Sequence, residues 1–257
     1  MLQMRKSQAT TTNRRFSRLR ARNKKETNLA WLARARADED GVVGVAGDVM
    51  LLGGTSVADF RIRVAQSHAR HDVTPSYWSL IGVLSDPDTL LTAPLWPIGD
   101  ASLVPPTNGI QALPLTGFDD PLAYPNIALI QFPTARGSVV ENIGRLKQQR
   151  TLIDLPTLML TWLGFVWGAG SQGNPLIAGF GLPSAVLVET AFAIAEVELT
   201  PGLASASSCP EAIWQAAKWW HQFYERPTEG GVIDTSRIPF GRYVHRQSEA
   251  SYRPPEG

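Results

Sequence analysis

The feature that most constrains this chain is the way its apolar residues are parcelled. Between residues 42 and 132 they come in short runs separated by glycine, proline and aspartate; beyond residue 138 they recur at helical spacing. GVVGVAGDVMLLGG is β-branched and bounded by glycines, and predicts a buried strand near Val42 to Leu52. YWSLIGVLSD and TLLTAPL flank the turn residues Asp86-Pro87-Asp88 and predict a hairpin. GIQALPL suggests a short edge strand and NIALIQFP a stronger strand. Helices are expected over residues 27 to 37, from Thr55 onward, and in one or two pieces between Val139 and Leu163 with a break near Pro156. Two more are expected from Pro183-Ser184 and from Pro210, where proline suits a first helical position. Strands and helices in separate blocks indicate an α+β fold. The region from Trp96 to Pro125 is too proline-rich for long helices and is expected to wrap the surface. The expected organisation is a basic arm over 1–26, a domain over 27–226 and a polar, irregular strap over 227–257.

A chain of 257 residues can bury one sizeable core, and 44% hydrophobic residues exclude general disorder. One cysteine, Cys209, excludes an internal disulfide framework. TLMLTWLGFVWGAG is shorter than a membrane span and broken by Gly164, so it reads as a buried core element. A soluble, cytoplasmic protein is the expectation. The net charge of +1 hides an asymmetry: nine of the 24 basic residues fall before residue 26, where there is no acid, leaving fifteen against 23 acids in the body. Arg14, Arg15, Arg18, Arg20, Arg22, Lys24 and Lys25 are the candidates for contact with nucleic acid or another acidic surface. A solvated tail and an organellar targeting segment are the other readings of the arm.

Three separated pieces carry a resemblance. "GDVMLL" opens the core, "YWSLIGVL" and "TLLTAPL" form the next hairpin, and "PSAVLVETAF...ELTPG" begins a helix downstream. This order resembles the circularly permuted NlpC/P60 peptidases, a papain-like group of thiol hydrolases, over residues 42 to 220. The resemblance implies a papain-like core in which one strand supplies a histidine, the next an acidic or polar partner, and a helix start the cysteine. A thiol there sits at the positive end of the helix dipole, which favours thiolate. The corresponding positions here are Leu80, Thr92 and Ser184, so base, orienter and thiol are all replaced. Leucine cannot take a proton from a hydroxyl, and Ser184 reads as a helix cap. The family requires these three positions to converge.

These residues favour a non-catalytic structural or protein-binding component, acting on a protein partner or a second copy, with no metal or cofactor. Two alternatives stay open. One is a cysteine hydrolase with Cys209 as nucleophile before the Pro210 helix, His71 as base and Asp72 as orienter. The other is a nucleic-acid accessory protein using the arm. His68 and His71 give only two metal-ligand candidates, and GAGSQG runs into Asn174-Pro175 rather than a helix, so it reads as a loop. In the Pro210 helix, Ile213, Ala216, Ala217 and Trp220 are expected to face inward, and Trp219 and Phe223 to form an interface.

Overall fold

The computed structural model describes residues 23, 25–38, 44–70, 73–96, 107–132, 136–168, 173–225 and 242–246, with the backbone alone for 38, 136, 221–225 and 242–246. The basic arm before Asn23, with Arg14, Arg15, Arg18, Arg20 and Arg22, lies outside them, as do Lys24, His71 and Asp72.

The chain is α+β. Helix α1 (Asn28–Asp38) precedes strand β1 (Val49–Gly53), and α2 (Val57–Ala65) leads to the hairpin of β2 (Leu80–Asp86) and β3 (Thr89–Thr92). β4 (Gln111–Pro114) and β5 (Asn126–Gln131) follow, and then α3 (Arg136–Gln148), α4 (Leu155–Val166), α5 (Pro183–Ile194) and α6 (Pro210–Glu225). β6 (Arg242–Arg246) comes last. The strands form one sheet in the order β4-β3-β2-β1-β5-β6, with every pairing antiparallel.

Register divides the apolar residues between two layers. Val49 lies opposite Val83 and Leu51 opposite Ile81, and all four join the core beneath α3, α4 and α5. Leu52 lies opposite Leu80, and both join a second cluster with Trp31 and Leu32 of α1, Leu113, Leu115 and Phe118. The central strands are therefore apolar on both faces, which is why their sequences read as unbroken apolar runs. α5 is the central helix, packing on β2 and on α3 and α4, and Pro183 to Glu189 are all buried.

Two expectations are corrected. The 227–257 strap is not wholly peripheral, because Arg242–Arg246 pairs with β5 along its outer edge and closes that side of the sheet. The segment read as buried core, TLMLTWLGFVWGAG, buries only one side. Leu155, Met159, Trp162 and Val166 point inward, whereas Leu160 and Trp167 are each 70% exposed. The break before α4 is made by Asp154, whose side chain accepts from Thr157 N, with Pro156 inside the first turn.

Candidate functional site

The three positions implied by the resemblance do not meet. Ser184 lies at the start of α5, whose apolar residues belong to the core on one sheet face. Leu80 belongs to the cluster under α1, on the other face. Thr92 follows Leu90 by two residues along β3, which puts it on the same face as Leu80, and its Oγ1 donates to Ile81 O at 2.6 Å. The capping role expected of Ser184 is also overturned. Leu182 is the N-cap, Pro183 takes the first helical position, and Ser184 is already inside the helix, so its hydroxyl cannot reach back to the first-turn N–H groups. Its Oγ is buried and has no hydrogen-bond partner.

Cys209 directly precedes α6 but is only 3% exposed. A helix start favours thiolate, yet burial wins here and pushes the thiol up to about 12, with Glu211 and Glu189 adding to the rise against backbone hydrogen bonds from Ala212 and Glu211. A thiol held protonated and out of solvent packs as a small core residue. His68 Nδ1 lies 3.0 Å from Ala65 O.

The structure does assemble a polar cluster that sequence reading missed, at the junction of β1, α2, residues 76–79 and α6. Asp59 accepts from Ser56 Oγ and from Ser79 Oγ, each at 2.6 Å. Ser79 Oγ in turn accepts from Gly54 N at 3.0 Å, so its proton and acceptor face are both engaged. Arg63 is fully buried and donates through Nε to Ser76 O and through Nη1 to Gly54 O. Gln66 donates to Trp78 O at 2.8 Å and accepts from Glu211 N at 3.0 Å, and Ser76 Oγ donates to Glu211 Oε2 at 2.6 Å. Burial raises the Asp59 carboxyl above its ordinary range, although Ser56, Ser79 and Arg63 all pull it down. The same burial lowers the Arg63 guanidinium. Another buried acid, Glu189 on α5, is raised by burial while Thr200 and Ser208 hydroxyls donate to its Oε1.

A signal for the larger cluster was present. Asp59, Ile62, Arg63 and Gln66 share one helical face at spacings of three and four, so a polar stripe follows the inward side of α2. Asp59, Arg63, Gln66, Ser76, Ser79 and Glu211 are all buried, and they clasp elements together. Gly54 shows how closely, since a Cβ there would stand 2.2 Å from Asp59 Oδ2.

On α6, the inward residues are Glu211, Ile213, Trp214 and Ala217, with Trp214 edge-on to Trp78 at 5.1 Å between centroids. The expected inward positions Ala216 and Trp220 are only half-buried. Trp219 is half exposed and stacked edge-on against Trp220; the Phe223 side chain lies outside the described residues. No helix among the described residues is long and apolar enough to cross a membrane.

No protein-family model, curated protein or solved structure matches this chain.

Proposed function

We propose that this chain is a non-catalytic component that works by binding; its likeness to the permuted NlpC/P60 hydrolases is one of element order and lacks the convergence that the family requires. The observation that carries the reading is the state of Ser184. Its hydroxyl is shut from solvent, touches no hydrogen-bonding group, and is divided by the sheet from the leucine at the base position. A serine hydroxyl is not a nucleophile without a base in reach.

That order is a strand after Gly47-Asp48, a helix, a hairpin, and later a buried helix packed on that hairpin. The likeness is one of order; it does not extend to a converging set of positions. The burial of Cys209 and its raised thiol weigh against the hydrolase alternative. Trp219 is the proposed protein contact, because an exposed aromatic on a rigid helix is an inexpensive anchor in conformational entropy.

The test uses two covalent probes on the native chain, a fluorophosphonate for an activated serine and iodoacetamide for an activated thiol. Neither is expected to label at neutral pH, while iodoacetamide labels Cys209 once the chain is unfolded in urea. Native labelling of Ser184 or Cys209 would overturn the reading, as would amide or ester turnover that disappears in Ser184→Ala.

A further inference from the structure

Residues 155 to 188 contain no Asp, Glu, Lys, Arg or His, in a chain of which 18% is charged. Much of this stretch is nonetheless surface. Leu160 and Trp167 protrude from α4 at 70% exposure, Ile177 from the following loop at 76%, and Phe180 is nearly half exposed. The neighbouring helix α2 packs against α4 and presents Val57, Arg61 and Val64 outward, at spacings that keep them on one face.

Hydrogen bonds tie these pieces into one surface. Arg61 Nη1 donates to Val166 O at the end of α4. Asn174 Nδ2 donates to Ala65 O of α2 at 2.7 Å, and Ile177 N donates to Asn174 O at 3.1 Å. Trp162 Nε1 donates to Gly181 O at 2.8 Å, holding the loop that bears Ile177 and Phe180 against α4. The protruding side chains are therefore fixed in place before any partner arrives, so docking them carries little ordering entropy.

The charge on this surface has one sign. Between Val57 and Arg70 the one acid is Asp59, which is buried, and the exposed charged side chain is Arg61. This face offers protruding apolar side chains, glycines and one exposed guanidinium, Arg61. Large apolar side chains projecting beside Arg61, with no exposed acid among the described residues of α2, α4 and the 173–181 loop, suit the boundary of an anionic lipid bilayer.

We propose that the face formed by α2, α4 and the 173–181 loop docks peripherally on an anionic membrane, with Leu160, Trp167 and Ile177 entering the acyl boundary and Arg61 at the headgroups. The proposal does not depend on the loss of hydrolytic chemistry.

The test is flotation of the full chain with phosphatidylcholine vesicles, with and without phosphatidylserine. The chain should float with the phosphatidylserine vesicles, with a blue shift in tryptophan emission. Trp167→Ala should weaken partition several-fold, and Trp167→Glu combined with Ile177→Glu about tenfold or more. Thermal melts of these variants should match the parent, because the altered residues are exposed. Equal flotation of the parent and the Trp167/Ile177 variants would overturn the proposal. So would a parent chain that stays unbound and is instead a dimer that Trp167→Glu dissociates, which would assign the face to a second copy.

Discussion

At the scale of single residues, the buried groups without partners are the informative ones. Ser184 Oγ is desolvated and makes no hydrogen bond, an arrangement that costs about 1 to 3 kcal/mol relative to a satisfied hydroxyl. Ser184→Ala is therefore expected to leave stability unchanged or raise it by about 1 kcal/mol, read as a higher urea midpoint at constant slope. A drop of that size would mean that the hydroxyl has a partner and that the site is built around it. Glu189 gives a pH-dependent counterpart. Its carboxyl is raised in the folded chain, so the native state holds that proton more tightly than the unfolded state. Stability from this group is full below its ordinary value of 4.5 and falls as pH rises through the folded value. Glu189→Gln keeps an acceptor for Thr200 and Ser208 and removes the titration. The variant should gain on the parent as pH is raised from 4.5 toward neutrality, in paired urea melts. A constant difference across that window would show that Glu189 is not the group responsible.

At the scale of elements, the clasp between α2, residues 76–79 and α6 is the least replaceable feature. Gln66 alone connects Ile62 O, Trp78 O and Glu211 N. Gln66→Ala strands the Trp78 carbonyl and the Glu211 N–H in the interior, and is expected to cost about 2 to 3 kcal/mol by urea unfolding. A cost within about 0.5 kcal/mol would mean that water enters and takes over the bonds. The elements themselves were largely legible. β-branched runs marked β2, β3 and β5, and Pro156, Pro183 and Pro210 marked the starts of α4, α5 and α6. What could not be read was the face. The side-chain direction of Leu80 is set by its pairing with Leu52, a long-range contact that motif order does not encode. The polar stripe of α2 was legible as a pattern, but its direction was not, because Asp59, Arg63 and Gln66 would suit a solvated face equally well. On α4 the error ran the other way: an apolar composition implied burial, and half the helix faces outward.

At the scale of the whole molecule, the sheet is completed by residues far from it in sequence. β5 would be an edge strand without β6, which pairs with it from Ile127↔Arg246 to Gln131↔Arg242. NIALIQ is uncharged, β-prone and buried throughout, the composition that makes an open edge prone to self-association. RYVHR gave little notice of this role, since five residues with two arginines in a polar tail do not announce a strand. They do suit an outermost one, where charge discourages further pairing. Ending the chain at Gly241 removes the covering strand while leaving every helix intact. The shortened chain is expected to lower the urea midpoint and to scatter light at micromolar concentration, because the row of β5 N–H and C=O groups then recruits another copy. A truncated chain that stays monodisperse with an unchanged midpoint would show that β6 contributes no net stability, and that β5 is protected by its own twist or by the neighbouring layer.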